Sequence, residues 1–337
     1  MPRPVRRLLA GPPVVRDGQQ LDPDLQLLLR VYALEKRSMR ANTATAARAA
    51  MSGGVPLVSG PPAGPVHTRE VLIDAEDGEL AGRLYQPAGL APGSPLVVFY
   101  HGGGWVTGDL DTHDGTCRLL ALRAATRVLS VDYRRAPEYK FPTAPLDAVG
   151  AFRYAVRHAG ELGADPRAIA VAGDSAGGNL AAVVCHQTAG EPERPVFALL
   201  FYPVTDGTTR HPSRDLFGDG FMLTDADIEW FLGNYEPDVT QRADPRLSVL
   251  LAPDLSGFPP TYLATAGFDP LRDEGEALAG RLAEAGVPVV CRRHSDLIHG
   301  FATLLGIGAK GREAVIEAAG ALRAGFAVAT ARVRDES

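Results

Sequence analysis

A mostly parallel β-sheet covered by helices on both faces is the fold class this sequence predicts, and three observations carry it. From residue 95 onward, short continuous apolar runs alternate with helical segments, the pattern of strands buried on both faces. Gly173-Asp174-Ser175-Ala176-Gly177-Gly178 stands between a strand signal and a helix signal. His101-Gly102-Gly103-Gly104 directly follows another strand. The composition agrees: 337 residues, 45 % hydrophobic and 22 % charged, give a large core and exclude wholesale disorder. The net charge of −6 offers no basic field for nucleic acid or an anionic membrane, so neither is expected as a partner.

The elements follow in order. Residues 21–39 form an amphipathic helix, with Leu25, Leu28, Leu29 and Tyr32 on one stripe and Asp22-Pro23 as cap and first turn. A short alanine-rich helix at 43–51 leads into a Gly/Pro-rich linker, 53–65, so residues 1–52 form a small helical segment ahead of the main domain, 66–337. Val71-Leu72-Ile73, Asp77-Gly78 and the run 80–85 describe a β-hairpin. Strands are expected at 95–100, 128–133, 168–172, 196–202, 261–266 and 287–293, with helices near 112–125, 143–160, 176–188 and 273–285. Turn residues interrupt the alternation after Val204, and the stretch 204–240 reads as an insertion on the strand-end face, with a helix at 224–235.

No window approaches the ~18 uninterrupted apolar residues of a membrane span. The stretch after Arg3, Arg6 and Arg7 is too broken for a signal peptide, so a cytoplasmic location is expected. Cys117, Cys185 and Cys291 are too far apart for a zinc pattern and too few for a disulfide framework. They read as buried small hydrophobes, and no metal is expected.

The chemistry centres on Ser175. A tight turn between strand and helix holds a serine outward, and its flanking positions have no room for side chains, which is what G-x-S-x-G supplies. His101-Gly102-Gly103-Gly104 arises by chance about 0.01 times in such a chain. A glycine-rich loop lets backbone amides approach the oxyanion formed in acyl transfer, and Gly102 and Gly103 are the expected donors, with Ala176 at the start of the following helix as a third. A phosphate-binding G-x-G-x-x-G fails, because Thr107 stands where the last glycine is needed.

A serine needs a base, and the base an orienting acid, in the chain order Ser, Asp or Glu, His. His299, in a loop before Gly300-Phe301, is favoured over His294, which ends a strand. Asp269 directly follows a strong strand, whereas Asp273, Glu274 and Glu276 fall in the first turn of the next helix. Phe217, Phe221 and Met222 in the insertion are expected to face the substrate pocket. Trp105 fits either pocket or core. Asp174 is expected to hold the elbow by hydrogen bonds, and His113 and Asp114 fit the pocket mouth or a surface turn equally well.

These motifs, together with Asp132-Tyr133-Arg134-Arg135-Ala136-Pro137-Glu138 and Asp269-Pro270-Leu271-Arg272-Asp273-Glu274, resemble those of the bacterial hormone-sensitive-lipase family of α/β-hydrolases, in its G-D-S-A-G branch. The likeness runs from about residue 20 to the C-terminus. It implies an eight-stranded α/β-hydrolase fold and a carboxylesterase with triad Ser175, Asp269 and His299. It also implies an oxyanion hole of Gly102, Gly103 and Ala176, no cofactor, and a cap made of the N-terminal helices and the insertion. Homodimerisation is implied as well, the last strand lying at a sheet edge that a partner can extend. Arg135 departs from the leucine usual in the family's D-Y-R-L-A-P-E segment.

With the leucine stripe of residues 21–39 buried over the mouth, the acyl channel closes. Acyl chains of about two to eight carbons are therefore expected. Two other functions share these motifs: an amidase or formamidase with the same machinery, and a non-catalytic small-molecule receptor, against which the presence of His299 argues.

Overall fold

The computed structural model describes residues 3–35, 38–76 and 78–335. Alternate residues of each central strand point to opposite faces, and both faces are apolar. In β5 (Ser94–Tyr100), Leu96, Val98 and Tyr100 enter one core while Val97 and Phe99 enter the other. The same division runs through β6 (Arg127–Asp132), β7 (Ala164–Asp174), β8 (Ala198–Phe201) and β9 (Thr261–Phe268). Such strands can be stable only under helices on both sides. α5 (Thr143–Arg157), α6 (Ala176–Gln187) and α9 (Arg272–Glu284) cover one face, and α4 (Asp114–Ala124) and α10 (Lys310–Asp335) the other.

Eight strands form one sheet in the order β10-β9-β8-β7-β5-β6-β4-β3, where β3 (Val66–Ala75) and β4 (Gly78–Pro87) are the hairpin and β10 (Val289–Ile298) is the opposite edge. Within this sheet, among the described residues, the β3–β4 and β4–β6 pairings are antiparallel and the others parallel. Asp77 of the expected hairpin turn lies outside the described residues. In α10 the segment Lys310–Ala331 is, by length and composition, long and apolar enough to cross a membrane, although charged residues interrupt it. Its Val315, Leu322 and Phe326 are packed into the second core.

Ahead of the sheet come α1 (Arg3–Ala10), a hairpin of β1 (Val15–Arg16) and β2 (Gln19–Gln20), α2 (Pro23–Leu34) and α3 (Ala44–Val58). Asp22 caps α2 as expected, accepting from the amides of Asp24 and Leu25. Lys36 and Arg37, which the sequence placed in this helix, lie outside the described residues. The expected linker at 53–65 is a helix through Val58, because Val58 is buried and its carbonyl accepts from Gly306 N at 2.7 Å. Tertiary docking overrides the local glycine signal there. The insertion carries α7 (Pro212–Phe217) and α8 (Asp225–Tyr235), the latter begun by a Thr224–Asp227 capping box. Cys117 and Cys185 are buried, but Cys291 is exposed because β10 is an edge strand.

Candidate active site

Ser175 sits between β7 and α6 with φ 54° and ψ −121°, a strained left-handed geometry that turns its hydroxyl out of the sheet. The turn closes only because Gly177 carries no Cβ, which would overlap the carbonyls of Tyr100 and His101. His299 follows β10 and Asp269 follows β9, so three strand ends meet at one point. Ser175 Oγ lies 3.0 Å from His299 Nε2, and His299 Nδ1 lies 2.8 Å from Asp269 Oδ2. Asp269 is fully buried, and its Oδ1 accepts from Leu271 N at 2.8 Å, which fixes the carboxylate against the ring. His294 stands apart, inside β10 with its ring 5.3 Å from that of Phe301.

The oxyanion loop needs one correction. Gly102 N donates to Asp174 Oδ1 at 2.9 Å, so this amide is spent on the protein and is not a donor to substrate. Gly103 and Gly104 line the cavity beside Ser175, and their amides have no acceptor among the described residues. Each is aimed by its own peptide plane, since a trans peptide points C=O and N–H in opposite directions. The Gly102 carbonyl is held by His101 Nδ1 at 2.9 Å, which turns Gly103 N–H the other way. The Gly103 carbonyl takes Val106 N at 3.1 Å, Thr107 N at 2.9 Å and Thr107 Oγ1 at 3.0 Å, which does the same for Gly104 N–H. Ala176, at the first position of α6, offers an amide with no partner inside the helix. Burial pushes the His101 imidazole below the usual histidine range, so it is neutral and its Nδ1–H can serve the carbonyl. Arg135 lies behind this loop, donating to Gly108 O and 3.4 Å from Asp132.

The cavity over Ser175 has a volume of about 80 Å³, walled by Met39, Leu223, Ile228, Phe231 and Trp105. Trp105 is both pocket and core, its ring stacked on Tyr235 at 4.3 Å. A larger cavity of about 560 Å³ under α2 and α3 meets it at Met39, Met51 and His299, and Met222 lines this outer chamber. Phe217 and Phe221 line neither. They pack on Phe268 at 5.5 and 5.2 Å, with the Arg272 and Arg16 guanidinium groups over their outer faces. Both rings belong to the second core, so at these positions the insertion is anchored on the sheet domain through Phe268 of β9 and does not face the pocket. The stripe of α2 is also divided: Leu25, Leu28 and Leu29 pack on the second core, and Tyr32 reaches the outer chamber.

Glu274 belongs to the inner cavity and was set aside by sequence reasoning as a first-turn decoration. Its carboxyl is pushed up to about 8 by burial; the amide bonds it accepts from Thr205 and Asp206 pull it down in part, and the charges of Asp206 and Asp269 add to the rise. Thr205 N donates to its Oε1 at 2.7 Å, so Glu274 ties the start of the insertion to the acid-bearing turn.

Comparison with known proteins places this geometry. A family model described as the alpha/beta hydrolase fold matches residues 97–303. Carboxylic ester hydrolase LipN of Mycobacterium tuberculosis is 46 % identical over 96 % of this chain and 88 % of its own. Ethyl acetate hydrolase of Pseudomonas putida is 36 % identical over 83 % and 92 %. The structure of an ester hydrolase from the metagenome of Lake Arreo, complexed with a derivative of bipyridine phosphonate, has a TM-score of 0.87 at 39 % identity, covering 91 % of this chain and 99 % of that one. The chain belongs to the α/β-hydrolase family, in its hormone-sensitive-lipase group of carboxylic ester hydrolases.

Proposed function

We propose that the protein hydrolyses carboxylic esters of short to medium acyl chain through an acyl-enzyme on Ser175. The observation that carries this reading is the continuous Ser175–His299–Asp269 hydrogen-bonded chain at the floor of a cavity lined by Gly103 and Gly104. Ser175 Oγ attacks the ester carbonyl while His299 Nε2 takes its proton, and Asp269 stabilises the imidazolium. The carbonyl oxygen, now an oxyanion, is met by the amides of Gly103, Gly104 and Ala176. His299 then returns the proton to the alcohol oxygen as the C–O bond breaks. Water repeats the sequence to release the acid.

The small inner cavity supports the chain-length preference. Each buried CH₂ adds about 0.8 kcal/mol until the chamber is filled, after which the gain stops. The test is kcat/KM across p-nitrophenyl esters of rising acyl length, with matched acyl anilides and emulsified long-chain triglyceride in parallel. The expected result is a maximum at eight carbons or fewer (about two to eight), esters above anilides, and loss of activity in Ser175→Ala. Rates that climb to long chains or jump in emulsion contradict the size reading, anilides preferred to esters contradict the ester reading, and an active Ser175→Ala contradicts the nucleophile.

The exposed edge of β10, with Val290 and Cys291 facing solvent, supports a homodimer in which two copies extend their sheets. Light scattering that gives only monomer at micromolar concentrations removes this part of the proposal.

A further inference from the structure

Beneath the oxyanion loop lies a second buried Asp–His pair that the hydrolytic steps do not use. Asp174, the last residue of β7, is buried, and His113 is fully buried, which corrects the expectation that a surface turn could hold it. His113 Nε2 lies 3.1 Å from Asp174 Oδ1. The same oxygen accepts Gly102 N at 2.9 Å. A carboxylate only accepts, so both nitrogens donate to it, and the 3.2 Å separation between Gly102 N and His113 Nε2 is an approach of two donors around one oxygen. On its other side His113 Nδ1 is 2.9 Å from Thr112 Oγ1. Burial alone would raise the Asp174 carboxyl, yet the charge and hydrogen bond of His113 and the Gly102 amide hold it below the usual carboxylate range.

The second oxygen faces Tyr202. Tyr202 OH donates to Asp174 Oδ2 at 3.4 Å and accepts Ala302 N at 3.2 Å, three residues beyond His299. The Tyr202 ring lies 4.7 Å from the His299 ring. One buried carboxylate thus reaches the loop that bears the oxyanion donors through one oxygen and the loop that bears the base through the other.

We infer that Asp174, with His113 and Tyr202, is a positioning unit that holds the Gly102–Gly103 turn and the His299 loop in register around Ser175. It rests on the hydrolytic reading above and adds to it. Asp174 fixes the peptide plane that enters Gly102 and His101 Nδ1 fixes the plane that leaves it, so together they aim Gly103 N–H before substrate arrives. Preorganised donors of this kind act on the oxyanion of the transition state and little on the ground-state carbonyl. The unit therefore acts on kcat.

The experiment compares Asp174→Ala, Asp174→Asn and Tyr202→Phe with the parent. It measures kcat, KM and the inhibition constant of an aryl trifluoromethyl ketone, whose adduct with a serine carries an oxyanion. Asp174→Ala is expected to lower kcat by about 10–100-fold with KM within about threefold, and to weaken the ketone by the factor lost in kcat/KM. Asp174→Asn keeps an acceptor for Gly102 N–H and is expected to recover most of the loss. Tyr202→Phe keeps the ring against His299 and is expected to lose several-fold in kcat and in ketone affinity together.

Parent values of kcat and ketone affinity in Asp174→Ala overturn the inference, as does a loss confined to KM or an Asp174→Asn as impaired as Asp174→Ala. Should Asp174→Ala not fold, Tyr202→Phe decides: parent kcat and ketone affinity there overturn it. Failure of the hydrolytic reading is distinguished by Ser175→Ala, whose activity does not depend on what Asp174 does.

Discussion

Around Ser175, the floor of the site is held by short, buried side chains on main-chain groups: Asp174 on Gly102 N, His101 on Gly102 O, Thr107 on Gly103 O and Asp269 on Leu271 N, and the reacting side chains project from strand ends. The cap above it is held by side chains reaching across. Arg48 of α3 donates to Val106 O at 2.8 Å and Ala136 O at 2.7 Å and pairs with Glu138, while Arg16 of the N-terminal hairpin donates to Leu216 O at 2.7 Å. A floor held by a few short, buried side chains at the strand ends keeps its geometry as long as those side chains are in place. A cap tied by a few long side chains can vary in shape while the chemistry below stays the same. The difference separates reaction, which is written in the floor, from substrate choice, which is written in the cap.

The comparison breaks first at the floor. Asp269→Asn is expected to lower kcat by about 10⁴-fold with KM little changed, because the imidazole loses the anion that orients it. A loss carried by Asp273→Asn, with Asp269→Asn silent, would move the acid to the wrong residue. The cap sharpens it next. Phe217→Ala empties a packed site against Phe268 and is expected to cost about 3–5 kcal/mol in denaturant unfolding while leaving the chain-length optimum in place. Phe231→Ala, which enlarges the inner cavity, is expected to shift that optimum to longer acyl chains. If Phe217→Ala shifted the optimum, Phe217 would act on the pocket and not only in the core around Phe268.

The smallest expected effect lies where floor and cap join. Glu274 holds its proton more tightly folded, near 8, than unfolded, near 4.5, so the stability it contributes is complete below 4.5 and is lost as pH rises toward 8. Glu274→Gln keeps a neutral acceptor for Thr205 N. Its free energy of unfolding is expected to match the parent's at pH 5 and exceed it at pH 8.5, by an amount on the order of a few kcal/mol at most. Parallel curves across that range would show that Glu274 does not titrate between them.

The floor was legible because its chemistry constrains residue type at fixed spacing. G-x-S-x-G, the glycines after His101, and single residues after strong strands leave few alternatives. Gly102 was misassigned because sequence shows which amides are free of side chains but not which way a peptide plane turns, and that depends on Asp174, 72 residues away. Separation in sequence from Asp174 also hid His113. In the cap, Phe217 and Phe221 were misplaced because an apolar residue in an insertion reads alike whether it faces a pocket or Phe268 across the fold. The helix through Gly53 and Gly54 was missed because its stability comes from docking Val58, not from local propensity.

The central claim is that one serine, activated by His299 and Asp269, does the covalent chemistry. Treatment with a p-nitrophenyl alkylphosphonate tests it most directly, since serine attack at phosphorus expels p-nitrophenolate and leaves a stable adduct. The account predicts one p-nitrophenolate released per chain, one adduct by intact mass, and that adduct on the peptide containing Ser175. Ser175→Ala should take no label, and Asp269→Asn should label far more slowly than the parent. Label on any other residue, or labelling of Ser175→Ala at the parent's rate, would contradict the account.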